Sequence, residues 1–235
     1  MNDKMKRVQF LDFARGCAVI GMLISHAIYN LGTFFSVDVS FMDSAIYTAI
    51  RVFGVIVFTM VSGICTAFSR NSLKRGGIVF VVALLITGVT VFFIPSEMIL
   101  FGILSFMGLA MILTALLKKA LEKIPLKIAL PVLALLFTVT YIFFPLQVSV
   151  PFLFPFGLLA PGFYSADYYP LIPWIFSFWF GFYLSKPIRE GKFPDFFYSF
   201  RIPMVNFIGK NALFVYILQQ PVLLGLMYAF FWLTK

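Results

Sequence analysis

Long apolar blocks separated by short basic segments constrain this chain more than any other feature. A helix needs about 20 residues to cross the hydrocarbon core of a bilayer. Seven stretches approach that length: 9–31, 46–68, 77–95, 98–117, 126–145, 168–186 and 205–233. Lipid gives the backbone no hydrogen-bond partner, so each block can only be helical. A water-soluble globule is excluded by composition, since 62% of the residues are hydrophobic and only 11% charged, against about a quarter charged in ordinary soluble domains. The expected fold class is an all-α polytopic membrane protein in contact with the lipid bilayer. It has about seven transmembrane helices and a single transmembrane domain over residues 1–235.

Charge placement assigns sides to these spans. With the N-terminus in the cytoplasm, the inner segments hold Lys4, Lys6 and Arg7, then Arg70, Lys74 and Arg75. They also hold Lys118, Lys119, Lys123 and Lys127, and finally Lys186, Arg189, Lys192, Arg201 and Lys210. The outer loops carry acids instead: Asp38, Asp43, Glu97 and Asp167. This is the positive-inside pattern, and it predicts a multi-pass plasma-membrane protein with its C-terminus outside. The net charge of +9 then reports topology, and no nucleic-acid partner is needed to explain it.

Two segments depart from simple spans. Residues 146–167 are apolar, but Pro151, Pro155 and Pro161 break any continuous helix, so a re-entrant or interfacial flap on the outer face is expected. Residues 187–204 mix basic residues with Phe and Tyr and are expected to lie along the inner headgroups. The first apolar run holds ionisable residues and lacks a small-residue cleavage site, so it is expected to stay as helix one rather than leave as a signal peptide. Cys17 and Cys65 are expected to be buried apolar fillers rather than a disulfide. No metal-ligand spacing is apparent, and no metal is expected.

Helix one raises the chemical question. Its sequence, "QFLDFARGCAVIGMLISHAIYN", carries Asp12, Arg15 and His26. Arg15 and His26 are eleven residues apart, which is three turns plus about 20°, so both project from one face roughly 16 Å apart along the axis. Ionisable residues inside a span turn toward protein or a water-filled cavity and mark function by default. The plainer alternative is an i, i+3 ion pair of Asp12 with Arg15 at the helix entrance, and a His26 that bonds a neighbouring carbonyl.

Further polar residues fall at the outer level. Arg51 enters helix two from outside; if buried, it needs an anionic partner among Glu97, Asp167, Asp38 and Asp43. Ser105 lies in the fourth span, and Asp167, Tyr168, Tyr169 and Trp174 open the sixth. Tyr and Trp there also fit an ordinary aromatic belt. Gln219 and Gln220 precede Pro221 in the last span, where proline frees a carbonyl.

Five stretches in order, "LDFARGCAVIGMLISH", "FGILSFMG", "LFPFG", "DYYPLIPW" and "IGKNALFVYILQQP", resemble the motifs of the bacterial heparan-alpha-glucosaminide N-acetyltransferase-like family, one of the transmembrane acyltransferases. The Arg-to-His spacing in helix one also resembles that of the large acyltransferase-3 family. The resemblance implies an acetyl or other short acyl group taken from cytoplasmic acyl-CoA and passed to a hydroxyl or amine of an extracytoplasmic acceptor, a glycan or another small molecule. It implies His26 as base, with Arg51 and Asp167 as catalytic partners, and Arg15 and Asp12 at the acetyl-CoA end. Tyr168, Tyr169, Trp174, Ser105, Gln219 and Gln220 would line the substrate site. A homo-oligomer is compatible with the sequence. Relatives commonly have histidine where this chain has Ser105 and Gln219.

Two other classes fit the same intramembrane residues. One is a small proton-coupled carrier using His26, Arg15 and Arg51 as a relay; the other is an inactive membrane scaffold of the same family. The topology is testable independently of function. Cysteine introduced at Ser72 or Lys123 should resist a membrane-impermeant thiol reagent applied to intact cells, and ready labelling there would overturn the assigned sides.

Overall fold

The computed structural model describes residues 8–233; Lys4, Lys6 and Arg7, used above to assign sides, lie outside the described residues. Nine α-helices follow in order among those described: α1 (Gln9–Phe35), α2 (Ala45–Phe68), α3 (Ser72–Phe93), α4 (Ile103–Leu121), α5 (Leu126–Phe143), α6 (Leu171–Arg189), α7 (Asp195–Ser199), α8 (Pro203–Lys210) and α9 (Ala212–Leu233). Six of the described helices, α1 to α5 and α9, are long and apolar enough to cross a membrane. The protein is all-α and polytopic, as its composition requires.

The sixth expected span, 168–186, corresponds to α6, which is not among those six. That helix has 19 residues, but Trp174, Ser177, Trp179, Ser185 and Lys186 dilute its hydropathy, and its first turn is non-helical at Ile172. Where one span was expected over 205–233, the chain forms α8 and α9. The break falls at Asn211 (φ −106°, ψ 23°), whose N–H folds back onto the carbonyls of Ile208 and Phe207. The local sequence Gly209-Lys210-Asn211 is a weak helix former at its two ends. Helix α3 starts earlier than expected because the Asn71 side chain accepts from the Lys74 N–H and caps it.

Residues 144–170 contain no α-helix, as the three prolines dictate. They form a two-residue parallel pair, β1 (Leu146–Gln147) with β2 (Leu158–Leu159), around a 3-10 turn at Pro151–Phe156. Residues 187–204 are less regular than a surface helix; α7 occupies only five of them.

The chain divides into two compact units, residues 1–58 with 191–235 and residues 59–190, with α2 contributing to both. In the first unit, α8 crosses α1 at Gly16 and Gly209. A β-carbon on Gly16 would overlap the Val205 carbonyl, and one on Gly209 would overlap the Asp12 carbonyl. Backbones this close need glycine, as in membrane helix pairs generally. Asn206 secures the crossing by donating to the Gln9 carbonyl at 2.8 Å and accepting from the Ile202 N–H at 2.9 Å. Phe10 packs on Phe197 and Phe13 on Phe200, with centroids 4.8 and 4.9 Å apart. Phe35 stacks on Phe231 at 4.3 Å, far along α9.

The second unit uses the same device twice. Gly63 and Gly181 bring α2 and α6 together, and Gly76 and Gly108 bring α3 and α4 together. Phe106 and Phe178, both fully buried, meet edge to face beside these crossings. Polar side chains tie the helices: Thr59 to Ser177 at 2.7 Å, Trp179 Nε1 to Thr114 at 2.9 Å, and the Tyr183 hydroxyl to the Leu121 carbonyl at 2.6 Å. Arg189 donates to the Ala67 carbonyl and lies over the Phe68 ring, a cation at the C-terminal end of α2. The two cysteines form no disulfide with each other, as expected. Cys17, however, is exposed rather than packed, because it follows Gly16 and so turns away from the α8 contact.

Two glycines of α1 give a matched test. Gly16→Ala drives a methyl into the α8 backbone and should cost about 1–3 kcal/mol, read as a lower Tm in detergent. Gly21, with open space around it, should tolerate alanine and gain up to about 1 kcal/mol of helix propensity.

Candidate functional site

The first unit holds the polar stripe of α1. His26 and Asn30 are one turn apart, so both face α9. Gln219 Nε2 lies 2.7 Å from His26 Nδ1, and Asn30 Nδ2 donates to Gln220 Oε1 at 2.9 Å. Consecutive glutamines of α9 thus meet successive turns of α1. Pro221 follows them, and its missing N–H deprives the Ile217 carbonyl of its usual helical donor.

This pair of rungs is buried: Asn30 is 1% exposed and Gln219 5%. The rungs are not fully satisfied. Asn30 Oδ1 and Gln219 Oε1 are buried with no hydrogen-bond donor among the protein groups. A buried acceptor left unpaired costs about 1–3 kcal/mol. Asn30 escapes a search for ionisable residues, but its i+4 spacing from His26 was a signal for it.

Toward the start of α1, Asp12 is buried and lies 3.8 Å from Arg15. Arg15 also donates to the Gly209 carbonyl at 3.3 Å, at the C-terminal end of α8 where a cation is favoured. The i, i+3 pair foreseen as the plainer alternative is therefore present. Arg51 lies on α2 in this unit and is exposed, so the buried cation considered above is not observed, and no ion-pair partner for it is found among the described residues. Tyr47, four residues earlier, has a buried hydroxyl without a partner; nothing in the sequence pattern singled it out.

The second unit holds the remaining expected site residues. Asp167 Oδ2 accepts from the Ile103 N–H at 3.0 Å and caps α4 from across the chain. A side chain on Gly102 would strike that carboxylate, which explains the glycine at the α4 N-cap. Ser165 accepts from the Leu100 N–H at 2.8 Å and donates to the Asp167 carbonyl at 2.7 Å, and Tyr169 N–H reaches the Phe101 carbonyl at 3.0 Å. Phe101 itself takes a left-handed conformation, φ 59°, a cost that such lacing sustains. The motifs "FGILSFMG" and "DYYPLIPW" are thus two halves of one loop assembly.

Tyr168 donates to the Phe154 carbonyl at 2.5 Å. Trp174 is buried among Phe137, Tyr141 and Tyr169 in edge-to-face contacts. Ser105 is buried in α4. No group of three His, Cys, Asp or Glu that could hold a metal occurs among the described residues.

Apolar helices long enough to cross a membrane, one of them carrying an imidazole bonded by an amide of another, define a class, the polytopic membrane proteins. More narrowly, a family model described as heparan-alpha-glucosaminide N-acetyltransferase, catalytic, matches residues 7–221, and the chain belongs to that family. No curated protein and no solved structure matches the chain. Membership supports a membrane acetyltransferase-like role in general, and with it an acyl-CoA donor in general.

The capping role of Asp167 has its own test. Asp167→Ala should destabilise the protein by about 1–2 kcal/mol through loss of the cap, whereas Asp167→Asn, which can still accept from Ile103, should retain most of that. Thermal unfolding of the two variants in detergent compares them.

Proposed function

We propose that the chain works as one acyltransferase-like domain that moves an acetyl or other short acyl group from cytoplasmic acyl-CoA to a hydroxyl or amine outside. The acceptor class we favour is a glycan. The observation that carries this reading is the imidazole of His26, held at Nδ1 by Gln219 inside a span of a chain belonging to an acetyltransferase family. Nε2 of His26 has no partner among the described residues, so it is the atom available to a substrate.

In the step proposed, Nε2 takes the proton of the acceptor O–H or N–H as its oxygen or nitrogen attacks the thioester carbonyl. The tetrahedral intermediate then expels CoA by breaking the C–S bond, and the imidazolium returns its proton to the departing thiolate. An imidazole suits both halves because its ordinary pKa lies near ~6.5. Arg15, its plane fixed by Asp12 and Gly209, is the cation we assign to the donor's phosphates, where charge-assisted bonds are strongest. Arg51 and Asp167 take no step in this scheme. The positive-inside pattern supports the plasma membrane with the N-terminus cytoplasmic and the C-terminus outside.

Purified protein at acetyl-CoA 100-fold above its Kd should be stabilised by about 2.7 kcal/mol. His26→Gln should keep that stabilisation while transfer falls about 10²–10⁴-fold. Unchanged transfer in His26→Gln would remove the base from the scheme. Arg15→Ala should weaken the stabilisation by acetyl-CoA; a variant that fails to assemble instead identifies Asp12–Arg15 as a purely structural pair.

A further inference from the structure

We infer that Gln219 is a positioning residue that sets the tautomer of His26, accepting the Nδ1 proton through Oε1 so that Nε2 carries the lone pair. The inference rests on the acyltransferase reading for its use, but its evidence is the geometry of α1 and α9.

A neutral imidazole carries one proton, and the partner of one nitrogen decides the state of the other. Gln219 stands 2.7 Å from Nδ1. If its amide nitrogen faces the ring, Nδ1 must accept and Nε2 must carry the proton, which makes Nε2 a donor and not a base. In that orientation Gln219 Oε1 is buried without a donor, and so is Asn30 Oδ1 one turn along α1. Both unsatisfied atoms are acceptors, so the interface is short of donors. The two ends of a glutamine amide fill the same volume. Turning the Gln219 amide puts Oε1 against Nδ1–H at the same separation and replaces one of the two unpaired acceptors by an N–H₂ group. The same turn leaves Nε2 unprotonated toward the side where no described residue bonds it.

The neutrality of this partner matters as well. The elements packed against α1 are α7, α8 and α9. Their acids and bases are Asp195 and Lys210, near the opposite end of α1, and their phenols are Tyr198, Tyr216 and Tyr228; α1 adds Asp12, Arg15 and Tyr29. No carboxylate lies on α9, so the ring's partner at Nδ1 is a neutral amide.

His26 is the chain's one histidine, so ¹⁵N-histidine labelling reports it alone. The resting protein should show a protonated Nδ1 and an unprotonated Nε2, and Gln219→Met should lose that preference. In Gln219→Met, kcat should fall about 10- to 100-fold with KM for acetyl-CoA unchanged. Gln219→Glu, which can still accept, should keep the tautomer, recover kcat at high pH, and move the acidic limb of the pH profile up by about one unit. This variant also serves if Gln219→Met does not fold. A proton on Nε2 in the resting protein, or an unshifted profile in Gln219→Glu, overturns the inference. The predicted tautomer in a protein that transfers no acyl group would uphold the Gln219–His26 pairing and overturn the acyltransferase reading instead.

Discussion

Close approach of helix backbones at glycine is the constraint from which the rest of each unit follows. Lipid supplies no hydrophobic force between helices, so association depends on packing and on bonds across the contact. Gly16 with Gly209, Gly63 with Gly181, and Gly76 with Gly108 each let one helix rest on a neighbour's backbone. Once the crossings are fixed, the polar side chains have one place to go. Thr59 meets Ser177, Trp179 meets Thr114, and Arg15 meets the Gly209 carbonyl. Such bonds average only about 0.6 kcal/mol each in membrane proteins. Their value here is registration more than stability.

Registration is what brings the polar residues of the first unit together. Gly16 and Gly209 set where α8 leaves α1, and the break at Asn211 starts α9 within reach of the same helix. Gln219 and Gln220 are then delivered to His26 and Asn30, about three and four turns beyond Gly16 along α1. The aromatic contact of Phe35 with Phe231 closes the far end. A shift of one residue anywhere along α9 would rotate its glutamines by about 100° and undo both rungs.

Much of this was legible in the sequence, and the gaps have physical causes. Hydropathy and charge gave the polytopic class and the proline-broken stretch at 146–167, because those depend on composition over many residues. The helix-one stripe was legible for the same reason, since its period is long. The split between α8 and α9 was not, because apolar content runs straight across Asn211 while the backbone does not. Asp167 was expected as a catalytic partner, and its capping of α4 was not legible because only the position of the Ile103 N–H reveals it. Arg51 was expected to need a partner because burial was assumed from its place in an apolar run. Asn30 was passed over as an uncharged residue, although what counts in a dry interface is hydrogen-bonding capacity and not charge.

The surroundings of His26 also bear on the choice between acid–base chemistry in place and proton relay. A relay needs a succession of groups that bind and release protons, each near the next. The recorded partner of His26 on α9 is the Gln219 amide, which does neither, and α9 carries no acid, no lysine and no arginine among its described residues. Arg15, three turns away on the same face, stays charged at any accessible pH and cannot hand a proton on. Asp12 is engaged beside Arg15 rather than beside His26. A proton taken up at Nε2 therefore meets no carboxylate, lysine or second histidine on α9, and in the scheme proposed above its exit is back to a departing group at the same site. That is the requirement of acyl transfer, in which the proton removed from the acceptor is returned to the thiolate, and it is the opposite of what vectorial proton movement asks of a helix.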